Sequence, residues 1–592
     1  MQTTTSISHL LKQLWQHINT RRKWQFAILL ILMVLASFSE MLSIGAILPF
    51  LAILTAPSRV FEHPIAQPVI DAMGITSAGE LLLPLTVFFG IAALCAGVMR
   101  LLLLWASTRL SFATGADLSN DIYRRTLYQP YSVHVARNSS EVISGISTKA
   151  NSVIYGVIVP ALTLISASIM LTAILVALLY VDPVIALVAF SGFGLIYVFI
   201  IRLTRKRLLI DSQCVAREST NVIKSLQEGL GGIRDVLIDG SQNVYCQTYR
   251  NADQPLRRAQ GNNLFISQSP RYGMEALGML LIATLAYTLA QQSEGVSKAI
   301  PILGALALGA QRLLPVLQQA YGAWTNIAGS QSTLQDTLEL LDQPLPSYSV
   351  QSSIEPLAFE QNISLKNVSF KYSPTTPWVL KNLTITLSKG SRVGFVGTTG
   401  SGKSTLLDVV MGLLQPDDGW LEVDGQAVTL SNCRSWQAHL AHVPQAIFLA
   451  DNTIEENIAF GIPVDEIDHE RVMLAARQAQ IADIIETWPD KYQTFVGERG
   501  VRLSGGQRQR IGIARALYKQ ANVIIFDEAT SALDSETEQA VMHAIESLGK
   551  ELTILIIAHR LTTLKNCTQI VELSDGVVKR SGTYKEIVTQ SV

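Results

Sequence analysis

The stretch Val393–Thr405, VGFVGTTGSGKST, decides the fold. It begins as an apolar strand, turns through Gly397, Gly400 and Gly402, and runs into LLDVVMGLL, Leu406–Leu414, which reads as a helix. A strand, a G-x-x-x-x-G-K-[ST] loop and a helix in that order form a phosphate cradle. The glycines let backbone N–H groups turn inward, and the helix N-terminus adds positive potential. Lys403 is placed to reach the β- and γ-phosphates and Ser404 to ligate magnesium. Thr398, Thr399, Ser401 and Thr405 complete the loop residues expected to hold the nucleotide.

Further along lies VIIFDEATSALD, Val523–Asp534. Its four apolar residues read as a buried strand whose end delivers Asp527 to the magnesium. Glu528 is then placed to orient or deprotonate an attacking water. Alternating apolar strands and Gly-marked turns surround both motifs, so residues 357–592 read as an α/β domain. PLPSYSVQSSIEP, 344–356, reads as the linker before it.

The first 343 residues differ in kind. The chain is 48% hydrophobic and 16% charged, with mean hydropathy +0.30, which is too apolar for an ordinary soluble protein. A helical span needs about 20 mostly apolar residues. Such runs occur near 24–55, 83–107, 153–180, 183–203, 273–291 and 299–327. A tight turn at Val181-Asp182-Pro183 makes the third and fourth an antiparallel hairpin. Arg21–Lys23, Arg124–Arg125 and Arg205–Arg207 share one side if the N-terminus is cytoplasmic. The connections between spans two and three and between spans four and five suit helices that continue into the cytoplasm. HPIAQPVIDAMGI, His63–Ile75, reads either as a short amphipathic helix on the outer surface or as a packed loop.

Other classes are excluded or unsupported. A net charge of −1 implies no nucleic-acid partner. The five scattered cysteines support neither a disulfide framework nor a zinc site. No cleavable signal is expected, because the apolar run after Arg21–Lys23 is too long for a signal segment.

The remaining motifs carry a family resemblance. LSGGQ, Leu503–Gln507, resembles the signature loop of ATP-binding cassette (ABC) proteins. The rest of the cassette set follows in order: Tyr372 matches the adenine-stacking aromatic, and Gln445 the glutamine linking magnesium and water to the membrane domain. Asp534 matches the dimer-contact loop and His559 the γ-phosphate sensor. TFVGERG, Thr494–Gly500, resembles an exporter loop that touches cytoplasmic helices. The resemblance implies an ATPase using ATP and Mg2+, with Glu528, His559 and Gln445 catalytic. Ser504, Gly505, Gly506 and Gln507 would bind the ATP held by an opposing cassette. With one cassette and six spans per chain, it implies a homodimer of exporter type with no separate binding protein. Tyr128–Ser140 and Gly229–Gln242 are the segments expected to couple cassette to membrane domain.

Arg100, Arg271 and Arg312 lie within or at the ends of the spans; Glu40 lies inside span one and Glu275 one turn after Arg271. Ion pairs could silence two of the three. If they do not, three cations per subunit imply a wet, positive cavity and an anionic substrate. SEMLSIGAILPFLAIL, SPRYGMEALG and AQRLLPVLQ resemble PglK-type lipid-linked oligosaccharide flippases. That resemblance assigns the arginines to a lipid pyrophosphate and residues 68–73 to the lipid tail. It implies an ATP-driven exporter or flippase in the bacterial inner membrane, moving a lipid-linked glycan to the outer leaflet. An exporter of hydrophobic drugs, lipids or peptides and an ATP-gated regulatory protein are the alternatives.

Overall fold

The computed structural model describes residues 6–55, 61, 67, 77–181, 183–290, 296–350, 355–528, 535–546, 551–558 and 564–589. The chain divides into two compact units. One comprises Met1–Gln129 and Arg137–Pro344, the other Pro130–Ala136 and Leu345–Val592.

The first unit is helical. Helix α1, Ile7–His17, starts where the Ser6 hydroxyl accepts from the His9 amide, an N-cap that satisfies an otherwise orphaned donor. It was not expected, because its apolar residues are too few for a span. Leu10 and Leu14, one turn apart, are buried with Leu118, Ile122, Val153 and Leu338. The long helices follow: α2 (Thr20–Thr55) and α3 (Leu82–Leu127). After the short α4 (Tyr131–Ala136), which belongs to the second unit, comes α5, whose segments Ser139–Ile143, Ala150–Val153 and Val159–Val181 are joined by π-helical turns at Ser144–Lys149 and Ile154–Ile158. Asn138, a glycosylation sequon by pattern, caps α5 by accepting from the Ser140 amide and hydroxyl.

Helix α6 (Pro183–Gly231) opens on a proline, which suits a first helical position. Then come α7 (Ile233–Ile238), α8 (Gln242–Ala290), α9 (Val296–Gly329) and α10 (Gln331–Leu341). The described residues of all six expected spans fall within long helices, the fifth as far as Ala290. The connections after spans two and four are helical, as their polar pattern implied: α3 runs to Leu127 and α6 to Gly231. Among the described residues, three segments are long and apolar enough to cross a membrane: Thr20–Ser43, Gly79–Leu127 and Ser139–Val176. Residues 68–73, expected to meet a lipid tail, lie outside the described residues.

The second unit is built on two sheets. Strands β1 (Asn362–Phe370), β2 (Leu380–Ser388), β4 (Asp418–Val423) and β5 (Gln426–Ala427) form an antiparallel sheet in the order β2-β1-β4-β5. The other sheet has the order β10-β9-β3-β8-β7-β6. Its central strands β9 (Gln569–Ser574), β3 (Arg392–Val396), β8 (Thr553–Ile557), β7 (Val523–Asp527) and β6 (Leu440–Val443) are parallel, and β10 (Val577–Gly582) closes one edge antiparallel. Both faces of these strands are covered, so they read as continuous apolar runs rather than alternating ones. Trp436 anchors one core, fully buried, with its indole N–H donating to the Val410 carbonyl at 2.7 Å.

Candidate functional site: a nucleotide site at the carboxyl edge of the sheet

Parallel strands aligned in register bring their carboxyl ends to one edge, where open α/β sheets bind ligands. Phe395 of β3 and Asp527 of β7 both pair with Ile557 of β8, and Val443 of β6 pairs with Phe526. That register gathers the loop after Val396, Gln445, and the Asp527-Glu528 pair. Three segments far apart in sequence become one site.

The loop has the expected cradle geometry. Gly397 and Gly402 have φ of +148° and +96°, in the region that favours glycine. A Cβ on Gly397 would meet the Leu573 carbonyl at 2.2 Å, and one on Gly402 the Val379 carbonyl at 3.0 Å. Thr398, Thr399 and Gly400 are exposed, whereas Ser401 is buried at the base. The Lys403 ammonium is folded into the loop and donates to the Gly397 and Thr398 carbonyls, both at 2.9 Å. It is held where phosphate oxygens would meet it. Lys403 begins helix α11 (Lys403–Val410), so the helix N-terminus faces the same space. Tyr372 is half-exposed, and its hydroxyl hydrogen-bonds Thr405 at 3.1 Å, which ties the aromatic to this helix while leaving its ring available for stacking.

Across from the loop, Glu528 adopts φ of +52°, a strained value for a non-glycine residue and the kind of outlier that clusters at functional sites. Its carboxylate accepts from the Gln445 amide at 2.6 Å. Asp408, on α11, was not anticipated. Burial, reinforced by the charge of Asp527, pushes its carboxyl up to about 6. Two carboxylates this close make a cation welcome. Ser404, exposed at the start of α11, and Asp527 supply hard oxygen donors of the type Mg2+ takes, so the residues present fit that ion.

The signature segment stands on its own helix, α12 (Gly505–Tyr518). Ser504 and Gln507 cap each other: the serine hydroxyl accepts from the Gln507 amide at 3.2 Å and the Gln507 side chain accepts from the Ser504 amide at 2.8 Å. This capping box fixes an exposed helix N-terminus carrying Gly505 and Gly506, a geometry that can receive an anion. Asp534 and His559 lie outside the described residues. The inclusion of Pro130–Ala136 in the second unit singles out part of one expected coupling segment. The Tyr131 hydroxyl there has its pKa raised by burial, then by the charges of Asp408 and Tyr372 beside it.

The intramembrane arginines correct an expectation. Arg100 is ion-paired with Glu40 through both Nε and Nη2, and Arg271 with Glu275 at 2.9 Å. These are the two pairings that could silence the charges, and both form. The reason is geometric: Glu275 is one helical turn from Arg271, and the packing of α2 on α3 brings Glu40 to Arg100. The side chain of Arg312 lies outside the described residues. A cavity of three uncompensated cations is therefore not what the described residues form. Arg100 and Glu40 instead share the wall of a 610 Å3 pocket among the long helices, a cavity lined by one of the expected arginines but with its charge paired.

The comparisons agree with this architecture. Residues 26–298 match the family of ABC transporter transmembrane regions and residues 380–531 the ABC transporter family. The chain is 28% identical over 553 residues to an ATP-dependent lipid A-core flippase of Cupriavidus pinatubonensis, covering 92% of each chain. It is 41% identical over 238 residues to human ATP-binding cassette sub-family B member 5, covering 40% of this chain and 19% of that one. A solved bacterial Atm1-family ABC exporter with ATP bound superposes with a TM-score of 0.76 at 25% identity, over 93% of this chain and 96% of that one. A membrane-spanning helical domain fused to an ATP-hydrolysing cassette places this chain in the ABC transporter family, as an exporter-type half-transporter.

Proposed function

We propose that two copies of this chain form an ATP-driven flippase of the bacterial inner membrane. It moves a glycolipid with a phosphate-bearing headgroup, such as a polyprenyl-pyrophosphate-linked oligosaccharide, from the inner to the outer leaflet. One observation carries the reading: a pocket holding the Arg100–Glu40 ion pair lies among apolar spans in a chain aligned end to end with proteins named lipid A-core flippases. Ionisable groups inside a membrane domain are costly to keep and mark substrate pathways.

The cassette residues take these roles. Lys403 and the loop 397–405 hold the phosphates of ATP, and Tyr372 stacks on the base. Ser404, Gln445 and Asp527 would hold magnesium, which when bound neutralises charge on the phosphates. Glu528 accepts the proton of the attacking water. Gln445, already bonded to Glu528, carries the state of the site outward. Ser504, Gly505, Gly506 and Gln507 close on the ATP of the partner copy, with Asp534 and His559 at the same junction. Because each chain holds one copy of each motif, two-fold symmetry completes both sites. Nucleotide-driven closure and reopening is transmitted through residues 130–136, with the N-terminus and cassette on the cytoplasmic side.

The test is ATPase stimulation in proteoliposomes by polyprenyl-pyrophosphate sugars against neutral hydrophobic drugs. The reading predicts stimulation by the lipids. Stimulation by the drugs alone would replace it with a drug exporter.

A further inference from the structure

Helix α12 carries more than the signature residues at its start. Arg508, Gly512 and Arg515 recur along it at four- and three-residue spacing, so they share one face. The segment that follows Gln445 lies against that face. A Cβ on Gly512 would meet the Ile447 side chain at 2.5 Å, so the bare glycine is what lets the segment come this close. One turn on, Arg515 donates through Nη2 to the Phe448 carbonyl at 3.0 Å and through Nε to the Asn457 carbonyl at 2.9 Å. One turn back, toward the signature, Arg508 donates to the Leu503 carbonyl at 3.0 Å.

Arg515 is an unusual residue for this place. Burial pulls its pKa down to about 10, and its hydrogen-bond partners are oxygens of Phe448 and Asn457 rather than a carboxylate. The Phe460 ring covers the guanidinium at 4.4 Å. Taking a cation out of water without a counter-ion is costly, so packing alone does not account for an arginine here. Its fork has a geometric effect instead: it ties two points of one loop to one helix. Asn457 completes the tie from the loop side. It is fully buried, and its side chain accepts from the Ala450 amide at 2.9 Å and donates to the Ala450 and Thr453 carbonyls, both at 3.0 Å. The stretch from Ile447 to Asn457 is thus closed on itself and fastened to α12. Gln445, two residues before it, donates to Glu528 at 2.6 Å.

We infer that Arg515 is a positioning residue for ATP hydrolysis: it fastens the Gln445 segment to the signature helix, so that closure of Ser504–Gln507 on nucleotide draws Gln445 along and sets the Glu528 carboxylate. Arg515 acts through Gln445 and not on the nucleotide. The inference rests on the roles proposed above for Gln445 and Glu528 and names the side chain that links them to the signature.

The experiment is a double-mutant cycle on the full-length protein in proteoliposomes. It reads kcat and KM for MgATP, and equilibrium binding of a fluorescent ATP analogue. R515M removes the fork and keeps a long side chain; Q445A removes the carboxamide. Each is expected to lower kcat by about tenfold or more while analogue affinity stays within about threefold of wild type. The double variant is expected to lie no more than about threefold below the slower single variant, because both changes break the same chain of contacts. R515K keeps a cation but cannot bridge both carbonyls. It should recover part of the loss in R515M, remain about threefold or more below wild type, and show the same non-additivity with Q445A. Thermal unfolding identifies the folded variants, and R515K carries the test if R515M does not fold. Wild-type kcat in folded R515M or R515K would overturn the inference. So would a fall in analogue affinity equal to the fall in kcat, which would make the arginine purely structural. Losses that multiply in the double variant, with kcat lowered in Q445A, would overturn the inference alone. Wild-type kcat in Q445A would refute the role of Gln445 and the inference with it.

Discussion

Replacing Glu528 by glutamine keeps the shape of the side chain and removes its basicity. Its carboxylate lies 2.6 Å from the Gln445 amide, at the end of the strand that also carries Asp527, so the change is local. General-base catalysis contributes about 100- to 10,000-fold to a rate. At about 1.36 kcal/mol per factor of ten, the barrier should rise by roughly 2.7–5.4 kcal/mol. Nucleotide affinity depends on other groups: the Lys403 ammonium caged by the Gly397 and Thr398 carbonyls, and the amides of the loop. It should stay within about threefold, since no phosphate-binding group is lost. The assay pairs steady-state phosphate release with equilibrium binding of a fluorescent ATP analogue. Turnover above one-tenth of wild type would refute the assignment of Glu528 as the base. A parallel fall in affinity and turnover would show that the residue shapes the pocket instead.

Four further outcomes follow from the geometry. Gly402→Ala puts a Cβ 2.9 Å from Leu380 Cδ2 at a φ of +96°; it should cost about 1–3 kcal/mol of strain and abolish ATP binding in the same fluorescence assay. Trp436→Phe strands the buried Val410 carbonyl that now accepts at 2.7 Å, for a loss of about 1–3 kcal/mol in denaturant unfolding. Leu14→Ala empties a site only 4% exposed and should cost about 2–5 kcal/mol, seen as a lower melting temperature in detergent. Asp424 offers a pH test. Burial opposes its ionisation, but the amides of Glu360, Asn362 and Gln361, with Lys389, hold its pKa below the usual carboxylate value. Its folded-state pKa is depressed, so its stabilising effect is present above the unfolded value near 4 and is lost as pH falls through the folded one. Asp424→Asn should therefore lower the melting temperature at pH 7, and the difference from wild type should shrink below pH 4.

The nucleotide site was legible because its chemistry is local. Residues 397–405 are a contiguous loop-to-helix segment whose glycine spacing is set by backbone conformation, and the apolar run before Asp527 announces a strand buried on both faces. The register of β3, β8, β7 and β6 then does the assembly, and strand order cannot be read from motifs alone. Asp408 was missed for that reason: nothing in LLDVVMGLL says that Asp527 will lie beside it. The long helices at the expected spans were legible from apolar length, three of them apolar enough among the described residues to cross a membrane. Helix α1 was not, because Leu10 and Leu14 are a stripe rather than a run, although Ser6 followed by that spacing is an N-terminal signal. The arginines show where charge counting fails. Glu40 and Arg100 are 60 residues apart, and only the packing of two helices decides whether a cation is lone or paired.

Under the proposed function, ATP hydrolysis by this chain carries a glycolipid across the bilayer. The most direct measurement places the purified protein in liposomes with a labelled polyprenyl-pyrophosphate disaccharide and follows its accessibility in each leaflet to an added glycosidase. The account predicts MgATP-dependent movement away from the cassette side, absent without nucleotide and absent with Glu528→Gln. Movement at the same rate without ATP, or none with wild type while ATP is hydrolysed, would contradict it.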